Sequence, residues 1–331
     1  MNPRLSHTAR WLALGCAVAA ATAACGLTST STSNSGGTAS GGSIAKKYHL
    51  SGANFTVGSK EFTEEKILSY ITADALQAAG AKVSTQVLTG SQTVRTALTS
   101  NRVDMYWEYD GTAWLDYMKH TLPIQSPEPA QFNATASADL AQNHIKWLAP
   151  ASFSDAYGVA VRSGAPGAMG SISTLSDMAS FVKAHPSQAT FCGASEFLNR
   201  PDGLPALEKA YGFTIPASDI KTVDLSIDYT AVAKGSPCNF AEIFTTDGRI
   251  KTLNLKVLTD SKYAFGSYVP ALTVRDPVYS KYSAQLSGIF AAIAPKLTTD
   301  GIINLNKQVD VDGMTPQDVA HAWMKSNGFI G

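Results

Sequence analysis

Apolar residues recur at helical spacing through Ile67, Leu68, Ile71, Ala75 and Ala79, which predicts a helix along that run. Thr63 is placed to cap it, Glu64 and Glu65 stand in its first turn where negative charge is favoured, and Gly80 ends it. On either side the period changes to that of strands, at residues 54–57 and 82–88. A short helix over 93–98 leads to a third strand over 103–107, whose alternation reads as one buried and one wet face. Strands at 158–161, 190–192 and 240–244 follow, interleaved with helical patterns at 173–183, 205–211 and 228–233. After a strand over 268–274 the pattern turns mainly helical to the end. Strand and helix alternating at this pitch predict an α/β chain with largely parallel sheets.

Several predicted strands run into short polar turns that carry an aromatic ring. Tyr106-Trp107-Glu108-Tyr109-Asp110-Gly111-Thr112 is the most developed; Val57-Gly58-Ser59-Lys60-Glu61-Phe62-Thr63 and Ser154-Asp155-Ala156-Tyr157 share its build. The carboxyl end of a strand is where open α/β proteins hold ligands, and the glycine turn frees Tyr109 from a packing role. Together the three segments read as a site for a small cation without hydrogen-bond donors. Such segments, scattered over so long a body, predict two lobes with a cleft between them. The chain leaves the first lobe near Asp155 and returns near Tyr268, so residues 46–155 plus 266–331 form one lobe and 156–265 the other. Two crossings make a hinge.

The beginning of the chain has a different character. Arg4 and Arg10 precede an apolar run over 11–24, too short for a stable bilayer span and arranged as a secretory signal peptide. It ends Thr22-Ala23-Ala24-Cys25-Gly26, which resembles a bacterial lipobox with Cys25 as the lipidated residue. Thr22 stands where that motif usually has a larger aliphatic, and ordinary secretion is the alternative. Residues 25–45 are the lipidated cysteine and a tether rich in Ser, Thr and Gly, a composition that cannot offset chain entropy by burial. The domain would therefore sit at the outer face of the cell membrane. With Cys16 removed and Cys25 modified, Cys192 and Cys238 remain; in an exported chain such a pair reads as one disulfide, free buried thiols being the alternative.

Composition narrows the function by exclusion. The chain carries 26 basic and 26 acidic residues, so its bulk charge points to no nucleic acid or other polyanion. The body's histidines at 49, 120, 144, 185 and 321 have no thiol or carboxylate arranged beside them, and no metal or cofactor motif occurs. Gly58-Ser59-Lys60 lacks the glycine spacing and residue order of a phosphate-binding loop. An enzyme is not indicated.

Beyond the segments quoted above, Arg200-Pro201-Asp202-Gly203, Phe244-Thr245-Thr246-Asp247-Gly248-Arg249-Ile250 and residues 260–268 stand in an order and spacing that resemble the substrate-binding lipoproteins of ABC importers for osmoprotectants. That family takes up glycine betaine, proline betaine, carnitine and choline. The resemblance covers the whole body. It implies a type II periplasmic-binding-protein fold with the ligand cleft between its lobes, a monomer, and delivery of ligand to a membrane permease and, through it, an ATPase. A sensor, or a lipoprotein for a bulkier aromatic or polyphenolic ligand on the same fold, is the alternative.

The chemistry fits such a ligand. A trimethylammonium group has full charge and no N–H, so aromatic faces hold it where hydrogen bonds cannot. Each ring contributes roughly 0.5–2 kcal/mol, and four supply much of the about 8 kcal/mol that micromolar affinity requires. By the resemblance the cage is Tyr109, Tyr157, Phe244 and Tyr268, with Asp155 adding a carboxylate near the cation; Phe244 stands where the family usually has tyrosine. Lys60, Thr112 and Arg200 are the positions that hold a betaine carboxylate, Arg200 through its planar fork, and Gln92 lines the same end. Glu65, where glutamine is common, would repel that carboxylate and favour choline if it points inward. Three donors against one acid lean towards a betaine, and the choice between betaine and choline stays open.

Overall fold

A computed structural model describes residues 41–121 and 130–331. The signal-like segment, Cys25 and all of the tether before Gly41 lie outside the described residues. Its last residues do not: a short helix, Ser43–Lys47, carries Ile44 into the core, and Ser43 N–H donates to the Gly328 carbonyl. The packed body therefore begins ahead of residue 46. Among the described residues no helix is long and apolar enough to cross a membrane.

Among the described residues, ten strands follow one another along the chain. They are β1 (Asn54–Ser59), β2 (Lys82–Val87), β3 (Met105–Tyr109), β4 (Ile145–Pro150), β5 (Tyr157–Arg162), β6 (Phe191–Gly193), β7 (Ile220–Thr222), β8 (Phe240–Phe244), β9 (Leu255–Val257) and β10 (Pro270–Arg275). They form two five-stranded sheets, ordered β2-β1-β3-β10-β4 and β7-β6-β8-β5-β9. The chain thus completes four strands of the first sheet, builds all of the second, and returns once.

The expectation of largely parallel sheets gives way to mixed ones. β1 runs parallel to β2 and β3, and β6 parallel to β7 and β8. β10 is antiparallel to β3 and β4, and β5 is antiparallel to β8 and β9. The reason is the crossing itself. β5 and β10 are the strands on which the chain arrives from the other lobe, so they start at the edge where their neighbours finish. Register then sets Tyr157 opposite Phe244 and Pro270 opposite Tyr109 at that shared edge.

The strand at 103–107 also differs from its reading as half wet. Every residue of β3 is buried. Trp107 packs with Ile67, Leu68 and Phe290 on one face of the sheet, while Tyr106 packs with Val94, Leu98 and Trp147 on the other. Helices cover both faces, as they do in α/β layers. Part of one cover is the helix Ala130–Asn143, which the sequence pattern leaves unmarked because alanines supply much of its apolar content. It carries the buried Asp139 to Arg95 and to the indole N–H of Trp147.

The helix Thr63–Ala78 forms where its periodicity places it, but Thr63 is not its cap. Phe62 holds that position without a capping side chain, and the Thr63 hydroxyl donates to Asp310 Oδ1 at 2.6 Å. In the second sheet Cys192 and Cys238 are bonded, with Cα atoms 5.6 Å apart, tying β6 to the segment that enters β8.

Candidate functional site

The carboxyl ends of β1, β3 and β8 and the starting end of β5 open onto one cavity of about 1070 Å³. Nine of the ten predicted ligand-contacting residues line it; Glu65 does not. Nine carboxyl side chains line the cavity against five cationic ones; with Asp155 and Glu242 set aside, because burial raises both well above the carboxylate range, seven remain, so the space still favours positive charge.

The rings come together as a continuous wall. Tyr157 stacks on Phe244 with centroids 5.3 Å apart, and meets Tyr268 edge-on at 5.8 Å. Phe62, which sequence reasoning missed, stacks on Phe244 at 5.1 Å and reaches Tyr109 at 6.2 Å. Phe62 follows β1 just as Tyr109 closes β3, so the strand-end signal that singled out Tyr109 applies equally to it. Tyr109 is also not free of packing: it is buried in the cluster that includes Tyr157, Phe265 and Tyr268. Gly111 allows this, since a Cβ there would lie 2.3 Å from the Ser267 carbonyl oxygen and 2.9 Å from the Tyr268 ring.

Two carboxyl groups face this wall. Glu64 accepts the Tyr109 hydroxyl at 2.7 Å, the Thr246 hydroxyl at 2.7 Å and the Asn306 amide at 3.3 Å. Asp155 accepts the Thr246 N–H at 3.2 Å. Burial pushes Glu64 up to about 6, against those hydrogen bonds, with the charge of Asp247 adding to the rise. Burial also raises Asp155 well above the usual carboxylate range, and the neighbouring Glu64 charge adds to it. Neither forms an ion pair among the described residues. Asp247, by contrast, is paired to Arg249. Glu64, read from the sequence as a favourable first-turn acid, is therefore also the acceptor that joins Tyr109 to Thr246.

At the other end the predicted donors are already engaged. Lys60 Nζ donates to Glu108 Oε1 at 2.8 Å and lies 4.8 Å from the Tyr109 ring centroid. Burial opposes its charge, but Glu108, Glu65 and Glu196 hold the ammonium above its ordinary value. Glu108 also accepts the Tyr117 hydroxyl and the Tyr109 N–H. Arg200 grips Asp202 through Nε and Nη2 at 2.9 and 2.6 Å, Glu196 through Nη1 at 2.8 Å, and Thr112 at 3.3 Å. Tyr268 donates to the same Asp202 at 2.7 Å. Gln92 donates to Asp116 at 2.7 Å.

Glu65 corrects the expectation placed on it. It is fully buried, with Oε2 accepting the Lys60 N–H at 3.3 Å. Burial, only partly opposed by Lys60, raises it well above the carboxylate range. It holds the Lys60 turn in place and does not line the cavity.

Bonds also join elements on opposite sides of the cleft. Besides Glu64 to Thr246, the Asn306 amide donates to the Thr246 carbonyl at 3.1 Å, and the Ser91 N–H donates to Glu196 at 2.9 Å. Gly248 lies so near Lys307 that a Cβ would sit 2.6 Å from its Cα.

Residues 53–326 match the family described as the substrate binding domain of ABC-type glycine betaine transport system. A glycine-betaine-binding protein of Pseudomonas aeruginosa is 32% identical over 279 residues, covering 83% of this chain and 88% of that one. The solved apo form of YehZ from Escherichia coli superposes with a TM-score of 0.60 at 26% identity, over 83% of this chain and 99% of that one. A glycine betaine/carnitine/choline ABC transporter structure gives a TM-score of 0.64 at 21% identity, covering 83% and 99%. These likenesses give a two-lobed fold of the type II periplasmic-binding kind.

Proposed function

The chain belongs to the family of substrate-binding domains of ABC-type glycine betaine transport systems, and on that premise we propose that it captures a quaternary ammonium osmoprotectant and hands it to a membrane permease. The observation that carries this reading is the ring wall, Phe62, Phe244, Tyr157 and Tyr268 with Tyr109 beside it, set against two carboxyl groups, Glu64 and Asp155, that form no ion pair among the described residues. Rings take the charge of a methylated ammonium group, and Asp155 and Glu64 complete its neutralisation. The named ligand of the Pseudomonas relative is of this class.

The first lobe, residues 46–155 plus 266–331 extended at its start by the helix Ser43–Lys47, closes on the second, residues 156–265, about the two crossings when ligand binds. Cys25 carries the lipid that holds the domain, as a monomer, at the outer face of the membrane beside its permease and ATPase. Calorimetric titration with choline, glycine betaine, carnitine and proline tests the reading. Micromolar binding of at least one methylated ammonium compound, weak or no binding of proline, and ligand recovered unchanged are expected. No heat from any methylated ammonium compound would overturn it.

A further inference from the structure

We propose, building on the quaternary ammonium reading above, that this cleft selects a ligand of net positive charge, a quaternary ammonium alcohol without a carboxylate, over the zwitterionic betaines. The reason is that the protein's own carboxylates already occupy the cations a betaine would need. Lys60 is matched by the fully buried Glu108, and Arg200 by Asp202 on two nitrogens and Glu196 on a third. With Thr112 accepting one more bond, four of the five N–H groups of Arg200 are committed. Gln92 is turned to Asp116. Despite burial, Arg200 and Lys60 keep the Glu196 carboxyl below its ordinary range, so it stands there as an anion.

A ligand carboxylate at this end would displace Asp202 or Glu196 from Arg200, or enter beside them against like charge. A hydroxyl meets no such conflict. It donates into a region of acceptors, among them Glu196 and Asp116, both of which line the cavity. At the ring end the need is the reverse: Glu64 and Asp155 share Thr246 and have no ion pair among the described residues. A net cation satisfies both ends, whereas a zwitterion satisfies one. Apart from Asp155 and Glu242, which burial raises well above the carboxylate range, seven carboxyl groups still face five cations around the cavity, and this excess acts in the same direction.

Titrating the full-length protein with choline chloride and with glycine betaine at pH 7.5 and low salt tests this. Choline is expected to bind at least tenfold more tightly. Glycine betaine binding as tightly as choline, or more so, overturns the charge selection while leaving the quaternary ammonium reading intact. Binding of neither overturns that reading and this inference with it. Glu196→Gln keeps an acceptor for Arg200 but removes an anion, and is expected to narrow the choline preference at least threefold. A preference unmoved by Glu196→Gln overturns the assignment of selection to this end of the cleft.

Discussion

Phe62 joins rings that come from different lobes, stacked on Phe244 and in reach of Tyr109. Replacing it with alanine is expected to weaken binding of a quaternary ammonium ligand by about 0.5–2 kcal/mol, the range for one aromatic face. Tyr157→Ala should cost a similar amount. Tyr109→Ala should cost more, because it also strips a hydrogen bond from the buried Glu64. Calorimetry on the three variants checks the order; affinities within error of the parent for all three would remove the cage. The tyrosines were legible in the sequence because they sit at strand ends beside turns. Their partners were not. Glu108 looks like an ordinary residue in an aromatic run, and only folding brings Lys60, Tyr106 and Tyr117 onto it.

The helix Thr63–Ala78 was legible because its run is long and its apolar positions recur at helical spacing, and β8 because it is a short, almost wholly buried run whose bounds agree with the pattern. They were illegible where three residues suffice, as in β7 and β9, or where alanine replaces larger apolar residues. Strand direction was out of reach for another reason: it depends on which edge the chain enters from, a property of the lobes and not of any segment. The disulfide belongs to this scale. It closes a separation of 46 residues, and in the chain-entropy account its removal should cost roughly 4 kcal/mol. Urea unfolding of the Cys192→Ser, Cys238→Ser double variant measures that loss. Two thiols open to alkylation in folded, unreduced protein would show that the bond does not form in the exported molecule.

For the molecule as a whole, the buried acids tie stability to pH in an unusual sense. Glu64 titrates near 6 in the folded chain against an ordinary 4.5, and Asp228 near 8 against 3.8, in both cases chiefly through burial. Between each pair of values the folded state holds more protons than the unfolded one, so stability falls as pH rises through that window. Glu64 alone accounts for about 2 kcal/mol. Groups held low, such as Glu196 and Asp224, act below this range. The ligand-free protein should therefore melt at lower temperature at pH 8 than at pH 5, and Glu64→Gln should flatten the slope up to pH 6. A bound cation reverses the preference by favouring the ionised carboxyls, so ligand-induced stabilisation should grow with pH. Melting curves with and without choline test both, and a midpoint rising from pH 5 to 8 in the empty protein would contradict the assignment. The near-contact of Gly248 with Lys307 has a mechanical consequence. A side chain at 248 would be a doorstop, leaving the rings intact while keeping the lobes ajar. Such a protein would hold its ligand loosely, and would let one ask whether the membrane partner responds to the cargo or to the shut shape of its carrier.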